Sequence, residues 1–270
     1  MGKLWEFGLI LILSAALSVT FLGAAETLFP GNREVLSQGE TCILIDPGHG
    51  GSDGGAVGSC TGVVEAGLNL QVANYLREAL EREGFRVLMT RQDENALAGT
   101  KSADMAARKN LIRGDYVDLV VSIHMNKFTD PTVSGPMAFY MQGSGEGQRL
   151  AQAVIDRVTQ GVGRPRRLAN PGDYFVLRVG SAPAVLVECG FLSNPKEEQQ
   201  LQTDSYQRLL AQSIAEGILD YLNPAGALVP QGTPPSSGAQ ESPLPASTPG
   251  GGDPAGSVGA PANTPLPLGL

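Results

Sequence analysis

Short apolar segments alternate with longer segments of helical periodicity between residues 42 and 222, and this alternation constrains the fold more than any other feature. Five apolar segments have the length and the β-branched content of buried strands; they are residues 42–45, 85–90, 118–123, 135–141 and 184–187. Apolar residues recur at helical spacing in the intervening and following segments; they are the segment from Glu65 to a glycine cap at Gly84, Met105–Ile112, Gln148–Val158 and Ser205–Leu222. Because parallel strands need crossover connections, the pattern predicts an α/β fold. We expect a single domain with a mostly parallel, mixed and twisted sheet and helices on both faces.

The two ends of the chain differ from this central part. Residues 7–22 are almost entirely apolar, follow Lys3 and precede small residues at 23–25, as in a secretory signal peptide. With residues 4 and 5 included, the segment also approaches the length of a membrane span, so retention as an anchor stays open. From residue 224 the chain is rich in Pro, Gly, Ser and Thr and has almost no charge, which predicts disorder.

We therefore predict four parts: a signal peptide or N-terminal membrane anchor (1–25), a linker (26–40), one folded domain (41–222) and a disordered tail (223–270). An exported protein of this kind works outside the cytoplasm, in the cell wall or on the outer face of the membrane. The net charge of −8 argues against a nucleic-acid partner, because nothing would drive counterion release. The three cysteines, Cys42, Cys60 and Cys189, are odd in number and lack C-x-x-C spacing, so they predict no disulfide framework.

Polar side chains stand at the carboxyl ends of three predicted strands. His49 follows the first strand in "IDPGHGG", His124 follows the third in "VVSIHMN", and Glu188 follows the fifth in "AVLVECGF". Open α/β sheets form their ligand crevice at this edge, and Glu65 at the start of the first helix returns to it. Two imidazoles and a carboxylate match the ligands of a catalytic zinc site that leaves a fourth position to water. Glu188, away from the ion, is the candidate for the general base that later acts as an acid.

Each of these residues also has a purely structural interpretation. His49 alone could cap a turn, and His124 alone could be a hydrogen-bonded core residue; their combination with two acids favours a site. Asp46 is expected to support a histidine or stabilise its loop. Arg91 and Asn126 could contact a substrate but are not assigned to the catalytic set, and Ser52 with Asp53 is typical of a turn.

A thiol hydrolase that uses Cys189 with one of the histidines is a rival interpretation. Cys189 directly follows Glu188 in a strand, so the two side chains should point to opposite faces, and only one can serve the site. This geometry disfavours the rival.

Four motifs in order carry a family resemblance: "IDPGHGGSDGGAVG", "VVEAGLNLQVA", "VVSIHMN" and "APAVLVECGFLSNPKEEQQL". Over residues 42–222 the chain resembles the zinc-dependent N-acetylmuramoyl-L-alanine amidases of the family 3 type, which cut bacterial peptidoglycan. The resemblance implies Zn²⁺ held by His49, Glu65 and His124, with Glu188 as the catalytic residue. Ala66 and Gly67 depart from the polar pair that often follows the glutamate in this family.

Within the family, the single domain behind an apolar segment and the motif "NPGDYFVLR" look most similar to the germination-specific amidases of spore-forming bacteria. This implies cleavage between N-acetylmuramic acid and L-alanine during cell-wall remodelling or spore cortex maturation. The expected partner is peptidoglycan, and the expected state is a monomer. Because no wall-binding repeat is recognisable, the anchor, the tail or an accessory protein should recruit the enzyme. A non-catalytic wall-binding module is the remaining alternative, and the presence of Glu188 favours the enzyme.

Overall fold

The computed structural model describes residues 41–224, so the predicted leader, the linker up to residue 40 and the tail beyond residue 224 lie outside it. Across 41–224, no helix combines the length and the hydropathy needed to cross a membrane. The strands are β1 (Cys42–Pro47), β2 (Arg86–Met89), β3 (Leu119–Asn126), β4 (Met137–Met141), β5 (Asn170–Gly172) and β6 (Ala184–Phe191). The helices are α1 (Glu65–Arg82), α2 (Lys101–Ile112), α3 (Gly145–Gly161), α4 (Phe175–Arg178), α5 (Pro195–Leu201) and α6 (Asp204–Leu222).

The strands form one sheet in the order β2-β1-β3-β6-β4-β5. Strands β2, β1, β3 and β6 are parallel, β4 runs antiparallel to β6, and β5 is parallel to β4. The connection from β3 to β4 contains no helix, which suits a reversal of strand direction. The prediction of a mostly parallel, mixed sheet is confirmed.

Alternate side chains of β6 show how the two faces are covered. Val187 and Cys189 join the larger apolar cluster, which α1, α3 and α6 complete, whereas Leu186 joins a smaller cluster with residues of α2 and α4. Helices therefore cover both faces, as predicted. Since neighbouring residues of a strand point to opposite sides, Glu188 shares the face of Leu186 and not that of Cys189.

Several predicted boundaries were wrong, and two of the errors concern the site. β3 continues to Asn126 and β6 to Phe191, so His124 and Glu188 lie inside their strands and are paired in register. The apolar segments in the sequence end at these polar residues, but the backbone hydrogen bonds between the strands continue beyond them. Three short elements were missed: the edge strand β5, which contains a proline and a glycine, and helices α4 and α5.

Candidate metal centre and active site

His49 lies in a sharp turn directly after β1. Its φ of 64° is the only positive value of a non-glycine residue within residues 41–224, and Gly50 and Gly51 follow with φ values of 132° and 60°. The left-handed region is unfavourable for residues with a Cβ atom, so the surrounding structure must hold this turn. The turn directs the imidazole towards the first residue of α1.

Glu65 is that first residue, and its side chain is almost fully buried. Its Oε2 atom accepts a hydrogen bond from the backbone N–H of Ala56 at 2.7 Å, and its Oε1 atom accepts bonds from Asn69 Nδ2 at 3.1 Å and Met125 N at 3.2 Å. A Cβ atom at Gly55 would lie only 2.5 Å from Oε2, so the chain needs a glycine there. The carboxylate is thus fixed from three chain segments.

The two histidines meet this carboxylate. His49 Nε2 lies 3.3 Å and His124 Nδ1 lies 3.0 Å from Glu65 Oε1. The three side chains form a group that could hold a metal ion, with one donor atom from each lying within 4.8 Å of the others. Donor atoms bound at about 2.0–2.2 Å in a tetrahedral site are about 3.3–3.6 Å apart, so the distance from His49 matches neighbouring ligands of one ion and the distance from His124 is slightly shorter. The structure brings all three predicted ligands together.

The carboxylates in this group attract positive charge, either as protons or as a metal ion. Burial opposes ionisation of Glu65, but His124 and His49 hold its pKa far below the usual range. Burial likewise opposes protonation of His49, but Glu65 and Asp53 raise its pKa. A divalent ion could replace the protons that these partners attract.

Asp53 lies behind His49. Its Oδ1 atom is 3.0 Å from His49 Nδ1, although the contact is not aligned as a hydrogen bond, and the same oxygen accepts the N–H of Gly55 at 3.2 Å. Metal-bound histidines commonly face a carboxylate at the second ring nitrogen. The sequence predicts only a turn at Asp53. The signal that could have found this contact is its spacing, four residues after His49 in the same glycine-rich turn.

Asp46 was expected either to support a histidine or to stabilise its loop, and the structure favours the second role. It accepts hydrogen bonds from Thr90 Oγ1 at 2.7 Å, Arg108 Nη1 at 2.6 Å and Ser122 Oγ at 2.8 Å. These bonds tie β1 to β3 and α2 and do not involve a histidine.

Glu188 is 1 % exposed and is the direct neighbour of His124 in the sheet, with Met137 of β4 on its other side. Its Oε2 atom is buried without a hydrogen-bond partner in the described part of the chain. Burial and the charge of Glu65 raise the pKa of Glu188 well above its usual value. A buried and unpaired acid needs an explanation, and a role in proton transfer supplies one.

The remaining candidates lie elsewhere. Arg91 is buried, and its guanidinium is bonded to backbone carbonyls, so the structure does not support a substrate contact. Asn126 is partly exposed at the end of β3 and accepts a bond from Lys127 N. Cys189 points into the larger cluster on the opposite face, and burial raises the pKa of its thiol, which makes it a poor nucleophile.

Comparison with known proteins identifies the family to which the chain belongs. Residues 43–220 match the family model described as N-acetylmuramoyl-L-alanine amidase. The chain belongs to this family. It is therefore a hydrolase that acts on an amide bond, as the motifs implied.

Relatives and solved structures agree. The chain is 37% identical over 194 residues to the germination-specific N-acetylmuramoyl-L-alanine amidase of Bacillus subtilis. The aligned region covers 68% of this chain and 81% of that protein. The CwlD amidase of Clostridioides difficile, solved in complex with the GerS lipoprotein, matches with a TM-score of 0.65 and 31% identity over 68% of this chain and 98% of that one. The amidase AmiC2 of Nostoc punctiforme matches with a TM-score of 0.60 and 29% identity over 69% and 99%. These neighbours confirm the predicted fold.

Proposed function

We propose that the protein is a zinc-dependent amidase that hydrolyses the bond between N-acetylmuramic acid and L-alanine in peptidoglycan. The observation that supports this most directly is the group of His49, Glu65 and His124, whose donor atoms lie within 4.8 Å of one another, beside a separate buried acid, Glu188. When bound, zinc would polarise the scissile carbonyl and lower the pKa of a water molecule to about 7.

Different residues of the protein would bind the metal ion and transfer the proton. His49, Glu65 and His124 hold the ion, and the amides around Glu65 fix its carboxylate. Glu188 takes a proton from the attacking water and gives it to the alanine nitrogen as the C–N bond breaks. A new C–O bond leaves a carboxylate on the lactyl group and a free amine on alanine. The raised pKa of Glu188 suits a group that must both accept and return a proton.

Metal analysis combined with mass spectrometry of digested peptidoglycan tests this proposal. We expect one zinc ion per chain and products with a free alanine amine and intact glycosidic bonds. Glu188→Gln should keep the metal and lose about 10²–10⁴-fold in turnover, because only the proton transfer is removed. His49→Ala should lose metal and turnover together.

Cys189→Ala is the matched control for the thiol alternative, since it alters the next residue of the same strand. It should retain both metal and most of the turnover. New reducing sugar ends, or a complete loss of turnover in the cysteine variant with zinc still bound, would contradict the proposal.

We also propose a setting for the activity: an exported enzyme that acts on the cell wall, with spore cortex maturation as the process. The Bacillus subtilis relative is named as germination-specific, which supports a role in spores, and the lipoprotein complex of the Clostridioides difficile neighbour supports an accessory protein. Residues 41–222 would form the catalytic domain as a monomer, with residues 1–25 as signal or anchor. Muropeptide analysis of spores that lack the protein, and membrane fractionation with and without residues 1–25, test these points.

A further inference from the structure

Two buried arginines surround the backbone of the turn that carries His49. Arg91 and Arg108 are 3 % and 2 % exposed. Arg91 donates to the carbonyl oxygens of Pro47 at 3.0 Å and Gly48 at 2.9 Å, and Arg108 donates to those of Pro47 at 2.9 Å and His49 at 2.5 Å. Every carbonyl from Pro47 to His49 therefore accepts a bond from a guanidinium.

These bonds act on the conformation of His49 itself. The carbonyls of Gly48 and His49 belong to the two peptide planes that flank the Cα atom of His49, and the relative rotation of these planes defines its φ and ψ. Arg91 holds the first plane and Arg108 holds the second. A non-glycine residue persists in the left-handed region only when its surroundings hold it there. The two arginines contribute to this support for the φ of 64°, together with Asn69, which also donates to the carbonyl of Gly48.

Arg91 also connects the turn to the segment that carries the second ligand. The Nη2 atom that bonds the carbonyl of Gly48 also bonds that of Ala66, at 2.8 Å. Gly48 precedes His49 and Ala66 follows Glu65, so a single nitrogen links the neighbours of two proposed ligands. All four hydrogen bonds of this side chain go to backbone carbonyls, and no carboxylate of the described residues lies within ion-pair distance. A buried cation without an acidic partner lowers the stability of the fold. Its presence therefore points to a role in positioning the turn that carries His49.

We propose that Arg91 and Arg108 are positioning residues that form a guanidinium clamp: they fix both peptide planes at His49 and its spacing from Glu65, and thereby set the affinity for the metal ion. The inference rests on the proposed function, because it concerns the same metal centre. Lysine cannot replace either arginine, since its single ammonium lacks the planar fork that reaches several carbonyls at once.

The test uses the full chain with Arg91→Lys and Arg108→Lys, and Arg157→Lys as a control at a partly exposed arginine. Arg157 makes two hydrogen bonds to Asp220 between α3 and α6 and does not contact the turn. Circular dichroism and thermal melting establish folding, and competition with a chelator of known affinity gives the zinc Kd. Both clamp variants should bind zinc about 10–100-fold more weakly, the usual effect of removing support behind a ligand, while the control keeps the wild-type Kd. Excess zinc should restore most of the turnover.

The outcomes separate this inference from the proposed function. Wild-type affinity in the folded clamp variants would overturn the clamp and leave the amidase proposal intact. An equal loss of affinity in Arg157→Lys would also overturn it, because the effect would then be general loosening. A wild-type protein without stoichiometric zinc would overturn the proposed metal centre, and the clamp with it. If Arg91→Lys does not fold, Arg91→Gln replaces it, since glutamine is uncharged and still donates to a carbonyl.

Discussion

The imidazole of His124 packs directly against Gly48, which has no side chain. A Cβ atom at this position would lie 2.2 Å from Cε1 of His124, which no packing tolerates. Gly48→Ala should therefore displace the imidazole and reduce metal content and turnover, the latter by about 10²-fold, because ligand geometry is lost. Metal analysis and a turnover assay measure both effects. Gly99→Ala is the control, since nothing lies within 4 Å of its new methyl group, and wild-type values in both variants would contradict the prediction.

The buried carboxylate of Asp46 should make the stability of the protein depend on pH. Burial opposes its charge, but Arg108 and two hydroxyl groups hold its pKa below the usual value. A carboxylate with a lowered pKa in the folded state stabilises the protein above its unfolded pKa of about 3.9, and this contribution is lost as the pH falls through the folded pKa. Asp46→Asn should thus lower the free energy of unfolding by about 3–5 kcal/mol at pH 5–7, and by less below about pH 4.

Urea unfolding at pH 7, 5 and 3.5 measures this difference. Asp173→Asn is the control, because Asp173 pairs with Arg178 at an exposed position and should contribute at most about 1 kcal/mol. A pH-independent difference between the wild type and Asp46→Asn would contradict the assigned cause.

At the scale of elements, apolar periodicity was sufficient to predict the long helices and the central strands. It failed where polar residues continue a buried strand, as at His124 and Glu188, because their pairing in register depends on tertiary contacts between β3 and β6. The group of His49, Glu65 and His124 was predictable from the place of its members near the carboxyl edge of the sheet and from the family motifs. The supporting arginines were not, since they bond backbone carbonyls distant in sequence, which leave no side-chain pattern.

The contact between α3 and α6 depends on Gly217. A Cβ atom there would lie 2.5 Å from the Cα atom of Val154, so Gly217→Ala must push the helices apart. Overpacking of this kind typically lowers the free energy of unfolding by about 1–3 kcal/mol. Gly67→Ala in α1 is the same change in open space and should raise stability by up to about 1 kcal/mol. Denaturant unfolding measures both, and a gain of stability in Gly217→Ala as well would show that helix propensity, not the crossing, dominates.

At the scale of the whole molecule, the parallel strands β1, β3 and β6 explain why distant residues meet. Their carboxyl-terminal halves share one edge of the sheet, which places His49, His124 and Glu188 together, and the crossover helix α1 begins at that edge with Glu65. The proposed ligands therefore belong to β3, to the turn after β1 and to α1. An ion bound by all three would link these elements in the folded state only.

Metal binding should consequently stabilise the whole domain, since the unfolded chain does not present these ligands together. With free zinc about 1,000-fold above the Kd, the gain in the free energy of unfolding is about 4 kcal/mol, or a rise in Tm of roughly 8–16 °C for a domain of this size. Scanning calorimetry with zinc and with a chelator measures the shift, alongside turnover. His49→Ala, which lacks a ligand, should show little shift under either condition. If the chelator changes neither the Tm nor the turnover of the wild type, the three side chains do not bind a metal that the enzyme needs.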